Sequence, residues 1–209
     1  MHDNRTPIEA VALDAMGVIY PVADDLRDLL IPYLRSKGCT VPDETLIEAY
    51  RACYRAGAPA STIWEASGCD WTDGALEREF LACYQLNDGV IDFLQAMRAH
   101  SIPVYGLSND VGEWASLRRR LLGIDQYFAG WVISSDVGKA KPAPEIYQAL
   151  VDMLPCPPAA CLFVDDRVEN LRAGYDAGLQ GAWFSADADD GFPSVADFNA
   201  LSGLVLERR

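Results

Sequence analysis

Glu9–Asp14 reads EAVALD and Cys161–Asp166 reads CLFVDD. Each is a short, unbroken apolar run that stops on an acid. A strand with one solvated face would alternate apolar and polar residues; these do not. Continuous runs of this length fit strands covered on both faces, as in a parallel sheet. Pro103–Ser108 (PVYGLS), Trp131–Ser134 (WVIS) and Gly181–Phe184 (GAWF) repeat the pattern. Helix-period segments lie between them, at Val90–His100, Gly112–Leu122, Pro144–Leu154 and Val168–Ala177. Strand–helix alternation predicts an α/β fold built on a doubly wound, mainly parallel, Rossmann-like sheet. Ligands of such sheets bind at the carboxyl ends of the strands.

Residues 22–86 break the alternation. Helical patterns occupy Asp24–Lys37, Asp43–Ala56, Pro59–Ser67 and Thr72–Tyr84, with breaks at Gly38, Pro42, Gly57, Gly68 and Gly74. No strand pattern separates them. The expected organisation is an α/β core formed by residues 1–21 and 87–209, with a small all-helical cap formed by 22–86. Tyr20 and Pro21 would lie in the hinge between the two. The stretch from Asp187 is Asp-rich, and a short terminal helix is expected near Ser194–Leu201.

Half of the residues are apolar and 23% are charged, which is ordinary for a globular chain and excludes a disordered or collagen-like one. Lys and Arg number 17 against 31 Asp and Glu, a formal net charge of −14. A duplex-binding face needs basic residues, so nucleic acid is not an expected partner. An anionic membrane is excluded on the same ground. The opening residues MHDNRTPIEA contain no basic region followed by an apolar stretch, and no apolar run reaches the ~18–20 residues of a membrane span. A cytoplasmic location is expected. The six cysteines form no Cys-x-x-Cys pair, so they read as reduced thiols, mostly packing in cores or between helices. No interface signal stands out, which leaves a monomer or homodimer open.

The polar residues with chemical potential sit where strands end or helices begin. Asp14 closes the first strand, within Leu13–Val18 (LDAMGV). Ser108 and Asn109 close the second. Lys141 precedes a helix in Gly138–Tyr147 (GKAKPAPEIY). Asp165 and Asp166 close the strand that starts at Cys161, with Asn170 four residues beyond. Singly, each has an ordinary reading as a strand-end turn, a solvated lysine or a helix residue. Adjacent acids at one strand end repel each other unless a cation compensates them.

Taken in order, these motifs resemble the haloacid dehalogenase superfamily of hydrolases, in the subgroup with a helical cap inserted after the first motif. The resemblance covers Glu9 to about Phe184. It implies that Asp14 is a nucleophile that forms an aspartyl-phosphate, with Lys141 and Ser108 as catalytic partners. Asn109 and the backbone at Ala15 and Met16 would bind the phosphoryl group. Mg²⁺ would be held by Asp14, Asp166 and the Met16 carbonyl, with Asp165 and Asn170 outside them. Lys141 fits the lysine motif better than Lys139, because Pro142 and Pro144–Tyr147 follow it.

One position departs from the pattern. Phosphatases of this family carry a second aspartate two residues after the nucleophile, acting as general acid and base. Here it is Met16. Such proton transfer contributes about 10²–10⁴-fold, so weak turnover of alkyl phosphates is expected. Aryl or acyl phosphates, which leave without a proton, should suffer less. The 2-haloacid dehalogenases of the superfamily need no metal and lack the paired acids. The expected activity is therefore that of a Mg²⁺-dependent phosphoryl hydrolase on a small phosphorylated metabolite. A metal-independent dehalogenase and a catalytically silent phosphate- or metal-binding protein stand as alternatives.

In the cap, Trp64, Cys69, Asp70 and Trp71 lie near helix breaks, facing the cleft or packing the helices. Arg51 and Arg55, four apart, share one helix face. They either recognise a substrate carboxylate or form surface ion pairs. Arg118–Arg120 are expected on a solvated helix face, and His2 and His100 at the surface.

Overall fold

The purest apolar runs become the innermost strands. The computed structural model describes residues 6–187 and 191–209. Its sheet has six strands in the order β3-β2-β1-β4-β5-β6, all neighbours parallel. They are β1 (Ala10–Leu13), β2 (Val104–Ser108), β3 (Phe128–Ile133), β4 (Cys161–Asp165), β5 (Gln180–Phe184) and β6 (Ser194–Val195). Every residue of β1, β2 and β4 is buried, whereas β3 and β5, farther out, are mixed. Gly106 in β2 leaves room for the Trp131 ring of β3, which would lie 2.0 Å from a Cβ there.

The two faces of β1 enter different cores. Ala10 and Ala12 face a cluster with Phe163, Ile146, Tyr147 and Leu171. The last three come from helices α8 (Pro144–Met153) and α9 (Val168–Asp176). Val11 and Leu13 face a cluster with Phe93, Met97, Phe198 and Val205, from α5 (Val90–Ala99) and α10 (Phe198–Glu207). Helices on both faces of a parallel sheet make the predicted α/β, Rossmann-like architecture.

Between β1 and α5 the described chain is helical. A π-helical turn, Leu26–Leu30, runs into α1 (Ile31–Ser36), followed by α2 (Asp43–Ala56), α3 (Ser61–Ser67) and α4 (Ala75–Leu81). Their buried residues Leu46, Cys53, Trp64 and Phe80 belong to the same apolar cluster as Val11 and Leu13. Trp114 of α6 (Gly112–Leu121) packs 5.0 Å from Phe80 and 5.3 Å from Trp64, between ring centroids. Polar contacts cross the same junction. The Trp114 indole donates to Glu77 (2.7 Å), the Ala60 amide to Glu113 (2.9 Å) and the hydroxyl of Ser134, which opens the short helix α7 (Ser134–Val137), to the Tyr54 carbonyl (2.6 Å). Among the described residues no helix is long and apolar enough to cross a membrane. All six cysteines are unpaired; Cys39, Cys53 and Cys161 are buried, and Cys83 is exposed.

Two sequence expectations are corrected here. The terminal helix is not at Ser194–Leu201. Ser194 and Val195 add the edge strand β6, and α10 begins at Phe198 because the Asp197 carboxylate accepts the Ala200 amide at 2.7 Å. Such a side-chain cap satisfies one of the amides a helix start leaves open. Nor do all three arginines lie on a solvated face: Arg120 is exposed, as expected, but Arg118 and Arg119 are not. The Arg118 side chain is 1% exposed and ion-paired with equally buried Asp110. Its guanidinium stacks over Tyr84 and Tyr20, 4.3 and 4.8 Å from their centroids. Arg119 pairs with Asp125 and lies over Trp131. Burial pushes the Asp110 carboxyl up to about 6 against the pull of Arg118. His2 lies outside the described residues. His100 is half-buried, its ring nitrogen 2.9 Å from the Ala96 carbonyl.

A buried pair that loses one partner strands the other charge, at about 3–5 kcal/mol. Arg118→Met is expected to cost that much in urea unfolding at pH 7. Adding Asp110→Asn should restore part of the loss. A loss below about 1 kcal/mol, the scale of a surface pair, would show that Asp110 is neutral at that pH.

Candidate active site

The parallel register brings three strand ends together. The Asp14 amide continues the ladder onto the Val164 carbonyl (2.9 Å), so Asp14 and Asp165 leave adjacent strands at one level. Lys141 reaches between them. Its ammonium lies 2.8 Å from Asp14 Oδ2 and 2.7 Å from Asp165 Oδ2, with all three groups buried. The other Asp14 oxygen accepts the Ala15 amide at 2.6 Å. Asp165 is further held by the Asn170 amide (3.0 and 3.1 Å) and the Arg167 backbone amide (2.8 Å). Asn170 is itself tied down by Tyr147, whose hydroxyl donates to its carbonyl at 2.9 Å. Ser108 is fully buried and its hydroxyl has no hydrogen-bond partner among the described residues. Buried hydroxyls are normally paired; this one is not, and Ser108 lies behind the pocket wall rather than in its lining.

Asn109 holds both backbone groups of Lys141. Its side-chain oxygen accepts the Lys141 amide (2.7 Å) and its nitrogen donates to the Lys141 carbonyl (3.0 Å). It therefore positions the lysine, a contact between residues 32 apart that the sequence did not announce. Lys139 is exposed and pairs with Glu145 at 3.4 Å.

Charge is crowded at this point. Carboxylate oxygens of Asp14, Asp165 and Asp166 lie within 4.8 Å of one another. Burial raises the Asp14 carboxyl well above its usual range, against the pull of Lys141, and Asp165 and Asp166 push it the same way. Burial and then Asp165 push Asp166 up to about 6. Burial works against the Lys141 ammonium, but Asp14 and Asp165 more than offset it, so its pKa is raised and it stays charged. One cation among three carboxylates leaves a net negative centre of hard oxygen atoms, the donor set that suits Mg²⁺. Gly17 adds to the fit. Its φ is +78°, and a Cβ there would lie 2.3 Å from Asp166 Oδ2, so glycine keeps the space for that carboxylate.

A family model described as haloacid dehalogenase-like hydrolase matches residues 8–178. The chain belongs to that family. It is therefore a haloacid dehalogenase-like hydrolase, and some of its relatives are phosphatases. It is 26% identical over 185 residues to N-acetylmuramic acid 6-phosphate phosphatase of Pseudomonas putida, covering 84% of this chain and 82% of that one. It is 30% identical over 101 residues to flavin mononucleotide hydrolase 1 of Arabidopsis thaliana. That match covers 48% of this chain and 41% of the plant protein, so the chain spans less than half of that relative. A haloacid dehalogenase family enzyme of Bacteroides thetaiotaomicron, solved with magnesium and inorganic phosphate, shares the fold. The TM-score is 0.71 and the identity 20%, over 88% of this chain and 98% of that one.

Within this hydrolase, Asp14, Met16, Asn109, Lys141, Asp166 and Asn170 line one pocket of about 290 Å³. The other wall comes from the segment after β1: Asp24 in the loop, then Asp25, Arg27, Ile47, Tyr50, Arg51 and Tyr54 on helices. Asp25 and Arg167, also in the lining, were missed from sequence. The Asp25 carboxylate accepts the hydroxyls of Tyr50 (2.9 Å) and Tyr84 (2.7 Å), partners 25 and 59 residues away that only the folded chain reveals. Trp64, Cys69, Asp70 and Trp71 are not brought to this pocket. Trp64 and Trp71 instead border a second cleft with Glu77 and Glu113. Tyr20, expected in a hinge, is buried beneath Arg118.

Proposed function

We propose that this hydrolase is a Mg²⁺-dependent phosphatase that works through an aspartyl-phosphate on Asp14. The observation that carries this reading is the buried Asp14–Lys141–Asp165 arrangement, with the unpartnered Ser108 hydroxyl at the end of the neighbouring strand β2. Asp14 Oδ attacks phosphorus, and the phosphorus–oxygen bond to the leaving group breaks as the new bond forms. The Lys141 ammonium and Ser108 hydroxyl stabilise charge on the transferring phosphoryl oxygens, where electrostatics does most of the work. Water then attacks phosphorus, releasing phosphate and regenerating Asp14. Asp14, Asp166 and the Met16 carbonyl would hold Mg²⁺, with Asp165 and Asn170 outside. When bound, the ion neutralises phosphoryl charge and keeps Asp14 ionised.

The helical segment 22–86 serves as the cap that closes over a small phosphorylated metabolite. The paired acids and the phosphatase relatives favour this chemistry over metal-free dehalogenation. Methionine carries no exchangeable proton, so alkyl leaving groups depart slowly. The test is hydrolysis of acetyl phosphate and p-nitrophenyl phosphate with Mg²⁺ and with chelator. Activity should depend on the metal and fall to background in EDTA. Activity unaffected by chelation, or chloride release from 2-chloropropionate without metal, would overturn the reading.

A further inference from the structure

We propose that Arg51, with Arg167, forms a second anion subsite in the active-site pocket. The preferred substrate is then a small organic phosphate that bears a second anionic group, a carboxylate or another phosphate. This rests on the phosphatase reading and adds the substrate class to it.

Ile47, Tyr50, Arg51 and Tyr54 follow one another at steps of three, one and three along α2, and all line the pocket. Residues spaced this way share a helix face. Arg51 is thus placed opposite the strand ends that carry Asp14 and Asp166. Arg167 reaches the same pocket from the sheet side, directly after the paired acids.

An account of the lining charges leaves exposed Arg51 over, while Arg167 has only the nearby Asp166 carboxyl, which it draws down without forming an ion pair. Lys141 is taken by Asp14 and Asp165. Arg27 pairs with Asp24 at 3.2 Å. The Asp25 carboxylate is occupied by the Tyr50 and Tyr84 hydroxyls. Asp14 and Asp166 face the cation site. No carboxylate or carbonyl of a described residue pairs with the Arg51 or Arg167 guanidinium. Arg55, one turn on, shows the contrast: it donates to the Tyr54 hydroxyl at 2.8 Å and lies over that ring. Arg51 and Arg55 are therefore neither a matched pair nor a surface ion-pair set.

A guanidinium presents a planar fork of donors that matches a carboxylate or phosphate. At about 290 Å³ the pocket is at the small end for ligand sites. That volume suits a short carbon chain between the two anions.

The test uses three matched esters. They are the phosphate monoester of 3-hydroxypropionate, the monophosphate of 1,3-propanediol, and the bisphosphate of 1,3-propanediol. Calorimetry on the Asp14→Asn protein with Mg²⁺ reads binding, and kcat/KM on the unmutated protein reads turnover. Both charged-end esters, or the one that matches the subsite, should exceed the neutral-end ester by about tenfold or more, roughly one charge-assisted hydrogen-bond pair. Which of them leads identifies carboxylate or phosphate as the second anion. Arg51→Ala should bring the ratio to about twofold or less, and Arg51→Lys should restore part of it. Hydrolysis without any preference, or a preference untouched by Arg51→Ala, overturns the subsite and leaves the phosphatase reading standing. A binding preference that Arg51→Ala removes, with no ester hydrolysed, keeps the subsite and overturns the phosphatase.

Discussion

Asp14→Asn should abolish turnover of p-nitrophenyl phosphate, lowering kcat by ~10⁴-fold or more, the scale of losing a covalent nucleophile. The substitution keeps shape and hydrogen-bonding capacity while removing the attacking charge. A structural role for Asp14 would instead show as lost stability, and the two can be told apart. Burial and neighbouring acids raise the folded-state pKa of Asp14. An acid shifted this way favours the fold while protonated, and that advantage is lost as pH rises above its unfolded value near 3.9. At pH 7 its ionised form therefore costs stability. Asn is neutral at every pH, and Lys141 keeps Asp165 as a partner at 2.7 Å. The thermal midpoint of the metal-free variant should equal or exceed that of the parent. Activity above a tenth of the parent level, or a clear drop in midpoint with activity lost only in proportion, would remove Asp14 from the centre of the chemistry.

Met16→Asp should raise turnover of alkyl phosphates by about 10²–10⁴-fold, the range that a positioned proton donor contributes. Met16 is 8% exposed and lines the pocket beside Asp14, so a carboxyl there reaches the space above the nucleophile. The gain should be much smaller for p-nitrophenyl phosphate, whose leaving oxygen needs no proton. Comparing the two substrates separates proton donation from a general change in the site. A new acidic limb in the pH–rate profile for the alkyl substrate would accompany the gain. No gain, with Asp14→Asn still inactive, would mean that another acid of the pocket, Asp24 or Asp25, already donates the proton.

The central strands were legible because burial on both faces leaves a period-free apolar run, and β1, β2 and β4 are wholly buried. The site motifs were legible because each closes such a strand or opens the helix after it. Where the sequence misled, the reason was tertiary. Ser194 and Val195 pair only because the edge of β5 is there to receive them. Arg118 looks solvated within a run of three arginines, and only the fold supplies Asp110 and two tyrosine rings. The helical wall of the pocket depends on how α2 folds back over the strand ends, which no local pattern encodes. Arg51 and Arg55 differ by one helical turn in sequence, yet only Arg51 lines the pocket.

The strand order has a consequence for how the molecule is born. β1 precedes both of its neighbours, β2 and β4, in the chain. During synthesis Ala10–Leu13 therefore waits with an open, apolar edge until Cys161–Asp165 has emerged. At roughly 5–20 residues per second that wait is on the order of ten seconds. An unpaired strand edge is a site for misassembly, so the nascent chain is most exposed to aggregation in that interval. The arrival of β4 ends the exposure and delivers Asp165 in the same event. A chain interrupted before that point lacks both a closed sheet and a seat for Lys141, so partial products of translation carry no partial activity.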